Sequence, residues 1–261
     1  MTHKHTKADL FQAMGLGPVW ELKNPQSAVI PVQEAVVTAG PALIPEQPAA
    51  ITEPPEVGQK NSPTPATANF VSIGTVPSLS ELHEQVKNCQ ACGLCDSRRQ
   101  VVFADGVEHA PLMVVGEAPG ADEDASGLPF VGRAGQLLDR MLKAVGSSRK
   151  ENVYIANVLK CRPPGNRNPE PAEIEQCAPH LLQQIAASQP KVLLLVGKFA
   201  IQTLLQTSKP VGEMRGRIHQ VKVGDLEIPA VVSYHPAYLL RRPEEKAKAW
   251  DDLLLLKQLD M

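Results

Sequence analysis

The chain has 261 residues, with 26 basic and 28 acidic side chains, a formal net charge of -2, 43% hydrophobic residues and 4% aromatic ones. Such a length allows one large domain or two small ones, and the apolar fraction is ample for a buried core. Near-zero charge excludes a uniformly basic nucleic-acid protein while leaving room for a local basic face, and no apolar run of ~18 residues is present to span a membrane.

The N-terminus, "MTHKHTKADLFQAMG", lacks the apolar core and small-residue cleavage site of a secretory signal, so a cytoplasmic location is expected. In that compartment thiols stay reduced, and clustered cysteines point to metal before disulfides. Residues 1–24 hold a short amphipathic segment with Leu10, Phe11 and Met14 on one face of a helix. It reads equally as a cap on the chain's own domain or as a tethered peptide for a protein partner. Residues 25–77 are rich in Pro, Ala and Val without helical or alternating period, and are expected to be a disordered linker. The first 77 residues hold 11 of the 24 prolines.

The folded domain is expected over residues 78–261. "SLSELHEQVKNC" reads as a helix opened by a Ser cap. "PLMVVGEA", "NVYIANVLK", "KVLLLVG" and "IPAVVSYHPAYLL" are apolar runs, each ending in unusual chemistry or a glycine. Between them lie the helical patterns "AGQLLDRMLKAVG", "PEPAEIEQCAPHLLQQIAAS" and "KFAIQTLLQ", and "PEEKAKAWDDLLLLKQLD" closes the chain. Continuous apolar strands alternating with helices predict an α/β fold: a three-layer α/β/α sandwich around a central parallel four-stranded sheet. Ligands of such sheets bind at the carboxyl ends of the strands. The site is therefore expected at "GEAPG", "ANVLKCRPPGNR" and "YHPAYLLRR".

Five cysteines are present. Cys89 and Cys92 form a C-x2-C pair, Cys95 follows, and Cys161 and Cys177 lie at a strand end and inside a helix. Four thiolates from two such pairs suit tetrahedral zinc or a 4Fe-4S cluster, and spacing alone leans slightly to zinc. The plain alternative is packing as small hydrophobes. In "GEAPGADEDASGLPFVGRAGQLLD" the acids Glu117, Asp122, Glu123 and Asp124 crowd one strand end, which fits general-base work, a metal site or simply a solvated loop. Phe130 is either a stacking platform or core. Asn157 can read the edge of a base with its amide, or satisfy backbone groups. His235 is followed by Tyr238, Leu239, Leu240, Arg241 and Arg242. An apolar tip flanked by arginines suits insertion into a DNA groove.

Taken in order, the C-x2-C pair with Leu94 and Arg98, "GEAPG" with "ED" and "GLPFVGRAG", "NVLKCRPPGNR" with Cys177, and "HPAYLLR" resemble the family 4, iron–sulfur, uracil-DNA glycosylases over residues ~78 to 258. The resemblance implies a monofunctional glycosylase that flips uracil from DNA, hydrolyses its glycosidic bond and leaves an abasic site. A catalytically weak nucleic-acid-binding module of the same fold is the alternative. It implies a 4Fe-4S cluster held by Cys89, Cys92, Cys161 and Cys177, with Cys95 spare. Glu117, Glu123 and His235 become the catalytic groups, Glu123 first among the acids. Ala118, Phe130, Asn157 and His235 become the uracil-binding set, with Ala118 standing where a better-known branch has an aspartate. DNA contacts fall to Arg162, Arg167, Tyr238, Leu239 and Arg241. The partner is single- or double-stranded uracil-containing DNA, and the chain is expected to be a monomer. "RGRIH", residues 215–219, resembles a loop of a related branch that traps DNA covalently, but it lies in the wrong segment, so His219 is not assigned that role.

Overall fold

The structure, a computed structural model, describes residues 76–259. The expectations for residues 1–75 lie outside it.

Helix α1, Leu79–Lys87, begins where Ser78 closes a capping box with Glu81. The Glu81 backbone N–H donates to the Ser78 hydroxyl at 3.3 Å and the Ser78 N–H donates to the Glu81 carboxylate at 2.8 Å. Two of the helix's unpaired end groups are met this way, which stabilises it by about 1 kcal/mol. Leu79, Leu82 and Val86 form its buried face. After the short helix α2, Leu94–Ser97, come strands β1, Asp105–Gly106, and β2, Leu112–Gly116. Helices α3, Ala121–Ser126, and α4, Arg133–Ala144, lead to β3, Val153–Asn157. Then follow α5, Pro171–Ser188, β4, Val192–Val196, α6, Lys198–Leu205, and α7, Val211–Met214. The hairpin of β5, Ile218–Val223, and β6, Leu226–Ser233, precedes α8, Pro236–Arg241, and α9, Lys246–Lys257.

The strands form one sheet in the order β1-β3-β2-β4-β6-β5. The inner four, β3-β2-β4-β6, are parallel, as the sequence predicts. Two antiparallel edge strands, β1 and β5, extend the expected four to six. The side chains of the inner strands alternate between two cores. Met113, Val115, Tyr154, Ala156, Leu193 and Leu195 face α1, α5 and α6. Leu112, Val114, Val153, Ile155, Val192 and Leu194 face α4, α8 and α9. Both faces are covered, which is why these strands read as unbroken apolar runs. The three-layer sandwich follows directly.

Register fixes the working end. Gly116 of β2 sits opposite Asn157 of β3, each the last residue of its strand. Val158 and Leu159 continue past the strand end by donating to the Gly116 and Glu117 carbonyls, both at 3.0 Å. The carboxyl ends of β2, β3, β4 and β6 therefore open on the same edge of the sheet.

Candidate active site

A cleft of about 920 Å³ lies at that edge. Its walls include Glu117, Ala118, Glu123, Phe130, Asn157, Arg167, His235, Tyr238 and Arg241. Nine of the residues singled out in the sequence thus converge from four segments.

Asn157 is 2% exposed, and its Oδ1 has no hydrogen-bond partner. A buried amide oxygen without a donor is costly, by about 1–3 kcal/mol, and here it faces the other cleft residues. A Cβ on Gly116 would lie 2.3 Å from that oxygen and 2.6 Å from the Phe130 ring. The bare glycine lets the amide and the ring meet over the strand end. Phe130 has φ 55°, a left-handed conformation unusual for an aromatic residue. Its ring stacks on His235, centroids 5.5 Å apart.

The Phe130 loop is held from behind by Arg149. This guanidinium donates to the Pro129 and Phe130 carbonyls at 3.1 and 3.0 Å, and pairs with Asp105 and Asp139 at 2.7 and 2.8 Å. Gly135 completes the clamp, because a Cβ there would fall 1.7 Å from the Phe130 carbonyl oxygen.

His235 caps α8, with Nδ1 accepting the Ala237 N–H at 3.1 Å. That bond leaves Nε2 to carry the proton of the neutral ring. Desolvation first, then the Arg241 charge, lowers its pKa to about 4, against an upward pull from Glu123. The imidazole is therefore neutral near pH 7.

The two acids of the cleft differ. Glu123 accepts from the Val131 and Gly132 N–H groups through Oε1, at 3.0 and 3.1 Å, and from the Gly120 N–H through Oε2 at 3.1 Å. It ties the "GEAPG" turn to the Phe130 loop, and fills the space that a side chain on Gly120 would take, 2.7 Å from such a Cβ. Glu117 accepts from the Phe199 N–H at 3.2 Å, at the start of α6. Burial raises its pKa, and the Phe199 and Lys198 backbone groups oppose that rise, as do the Lys198 and Arg241 charges. Gly197, φ 98°, makes room for it, since a Cβ there would lie 2.5 Å from the carboxylate.

A profile of the uracil DNA glycosylase superfamily matches residues 103–254. The chain is 39% identical over 181 residues to a type-4 uracil-DNA glycosylase of Pyrobaculum aerophilum, spanning 68% of this chain and 92% of that protein. A type-4 enzyme of Archaeoglobus fulgidus is 38% identical over 186 residues, 70% of this chain and 93% of the relative. One of Thermotoga maritima is 43% identical over 159 residues, 60% and 81% of the two chains. The chain belongs to the type-4 uracil-DNA glycosylases.

Family membership gives the cysteines a context. Cys89, Cys92, Cys95, Cys161 and Cys177 line a second, smaller cavity with Arg98, Lys160 and His180. Among the described residues no three His, Cys, Asp or Glu side chains converge on a single ion position. The donor set fits the iron–sulfur group of the type-4 branch on its chemistry: soft sulfurs flanked by two cations. Arg98 Nη1 donates to Cys161 Sγ at 3.2 Å and the Lys160 N–H to Cys177 Sγ at 3.4 Å. Burial pushes the Cys177 thiol up to about 11, and ligation of a metal would take it as the thiolate.

The expected DNA-facing residues are placed less uniformly. Tyr238 and Arg241 reach the cleft from α8. Leu239 does not form a tip: it is 0% exposed, packed in the core beneath α8. "HPAYLLR" looked like a loop ending in a wedge, but Pro236 at the first turn and the His235 cap start a helix there, which turns Leu239 inward. Arg162 donates to Asn166 at 2.7 Å and is not in the cleft wall. Arg167 is at the rim, but forked onto Glu173 at 2.9 and 2.5 Å. His219 sits on edge strand β5 against the Met214 carbonyl at 2.6 Å, outside the cleft wall.

Sequence reasoning missed Arg149, Lys160, Lys198 and Tyr234. Lys160 left a signal, a lone charge at the end of an apolar strand run beside a cysteine. Arg149, in "SSRKEN", left none. Among the described residues no helix is long and apolar enough to cross a membrane.

Proposed function

We propose that this chain excises uracil from DNA as a monofunctional glycosylase, acting as a monomer on an extruded nucleotide and leaving an abasic site. The observation that carries it is the buried, unpartnered Asn157 Oδ1 at the base of the cleft. Uracil presents N3–H and O4 side by side, matching an amide oxygen and an amide N–H. Cytosine reverses both atoms and would leave both groups of Asn157 unpaired. Extrusion costs a few kcal/mol, offset in the pocket by stacking on Phe130 and by these bonds.

The remaining roles follow from the hydrogen bonds. Cleavage leaves negative charge on uracil, partly at O2, and a cationic sugar. Neutral His235, protonated at Nε2, donates to O2 as that charge develops. Glu117 is the better-supported carboxylate for the sugar and the attacking water, because Glu123 already accepts three backbone N–H groups. The water adds its oxygen to the anomeric carbon, and its proton leaves through the carboxylate. Ala118 lines the same wall without reacting. Arg241, Tyr238 and Lys198 at the cleft are the groups offered to flanking DNA.

Cys89, Cys92, Cys161 and Cys177 would hold a 4Fe-4S cluster, with Cys95 spare. When bound, it would cross-link the end of α1 to α5 and the segment after β3; glycosidic hydrolysis itself transfers no electrons. Cys95→Ser should leave iron content and activity intact, whereas Cys89→Ser should lose both. A protein that loses iron with Cys95→Ser alone would overturn the ligand set.

The deciding experiment is release of free base from uracil, cytosine and thymine substrates. The wild type should release uracil only, without strand cleavage. Asn157→Asp should narrow the uracil-over-cytosine ratio by at least about tenfold. Tight binding of uracil-DNA with no base released would sink the reading.

A further inference from the structure

The segment that carries Asn157 also carries a polar residue of the cysteine cavity. Three residues beyond Asn157 stands Lys160, with 0% exposure. A fully buried lysine is rare and demands partners. Its Nζ donates to the Asn157 carbonyl at 2.6 Å and to Gln184 Oε1. Gln184, also 0% exposed, is fixed in turn by donating to the Phe103 carbonyl at 3.2 Å and to Tyr154 Oη at 3.3 Å. Both acceptors of the ammonium are neutral. No carboxylate forms an ion pair with it among the described residues, and Lys160 lines the cavity shared by Cys161 and Cys177, its backbone N–H donating to Cys177 Sγ at 3.4 Å. A buried cation without a counter-charge is strongly destabilising. Cysteine sulfurs that ligate a metal are anionic.

We propose that Lys160 is a positioning residue that couples the cysteine cavity to the base-reading Asn157. The negative sulfurs hold the ammonium in the protein interior, and the ammonium holds the Asn157 peptide. Asn157 is the last residue of β3; the N–H of the peptide that follows it donates to the Gly116 carbonyl at 3.0 Å, and Lys160 holds that peptide's carbonyl side. Its amide aims into the cleft only if that peptide keeps its orientation. A cluster that takes no part in hydrolysis would in this way support base selection. The inference rests on the reading that Asn157 pairs with uracil and that the four cysteines hold a cluster.

The test uses full-length holoprotein and Lys160→Met, which keeps length and removes charge and donor. Single-turnover uracil release at saturating DNA should fall by about ten- to a hundredfold, the range for losing a charged hydrogen bond. DNA affinity should be unchanged. The reduction potential of the bound cluster should move to more negative values, because a neighbouring positive charge is lost. The shift in potential shows that the charge is felt at the cysteine cavity, and the fall in rate at unchanged DNA affinity shows that it also acts on Asn157. Gln184→Met keeps the charge but removes its second acceptor, and serves if Lys160→Met does not fold. It should cut uracil-over-cytosine selectivity several-fold with iron content and potential unchanged. Wild-type rate and wild-type potential in Lys160→Met, or wild-type selectivity in Gln184→Met, would overturn the coupling. Asn157→Ala run alongside separates the two levels. If it retains selectivity, the base-reading role fails. If it loses selectivity while the Lys160 and Gln184 variants do not, only the coupling fails.

Discussion

Two carboxylates stand in the cleft wall, and their hydrogen bonds give them different tasks. Glu123 accepts three backbone N–H groups and leaves little capacity for a water. Glu117 accepts from the start of α6 and is buried, so its pKa lies above the ordinary 4.5. His235 titrates far lower than usual, near 4, because the protein withholds water from its ring. The acid side of the pH–rate profile should therefore report Glu117 rather than the imidazole. In the wild type, kcat should fall as pH drops through a value above 4.5, with no inflection at the ordinary histidine value of 6.5. Glu117→Gln should lower kcat by about 10²-fold and flatten that limb. A limb that survives in Glu117→Gln would assign it elsewhere. His235 also links pH to stability. Its folded pKa is depressed, so the unfolded chain takes the proton first. The contribution is complete above 6.5 and is lost as pH falls from 6.5 toward about 4. Urea midpoints across that window should decline for the wild type and less so for His235→Asn.

At the scale of elements, the site depends on a loop that nothing periodic in the sequence reveals. Phe130 sits in a left-handed conformation that its own backbone disfavours. Arg149 holds it there by joining the β1 edge, α4 and the two loop carbonyls. Arg149→Met should lower stability by about 2 kcal/mol, since several charged hydrogen bonds are lost and water replaces some of them. It should also lower single-turnover uracil release more than that stability loss explains. Arg149→Lys should rescue little, because one ammonium cannot reach two carboxylates and two carbonyls in the planar fork. Full rescue by lysine would show that charge alone matters. The same contrast explains what could be read beforehand. The four inner strands were legible because burial on both faces leaves an unbroken apolar run. So was the convergence of "GEAPG", Asn157 and His235, because parallel strands end together. β1, two residues long, carries no pattern. β5 was visible in principle: "IHQVKV" alternates and runs into Gly224, φ 57°, and Asp225, a tight-turn pair. In "HPAYLLR" the place of Leu239 was not legible, because an apolar residue ahead of two arginines looks the same whether it points into DNA or, as Leu239 does, into the core. Arg149 acts through contacts distant in sequence, which no local pattern encodes, and of Lys160's two acceptors only the Asn157 carbonyl is local, Gln184 being brought in by the fold.

For the whole molecule, the question is how much of the chain the chemistry needs. The superfamily match covers residues 103–254, and the 181 aligned residues span 92% of the Pyrobaculum protein. Among the described residues, the cleft and the cysteine cavity draw on Val86 and residues after it. Residues 76–261 should therefore fold and release uracil without the first 75, with kcat within about twofold of the full chain, as expected for a domain with its own core. Charge decides what happens to DNA affinity. The first 75 residues carry 4 basic and 6 acidic side chains, so they add repulsion rather than attraction toward phosphates. Their removal should leave affinity unchanged at physiological salt, where the Debye length is about 8 Å, and tighten it slightly at low salt. Titrating labelled uracil-DNA against both chains at two salt concentrations checks this. If the shorter chain binds more weakly, and more so at low salt, the leader contributes contacts its net charge opposes, and Lys4, Lys7 and Lys23 become the residues to substitute first.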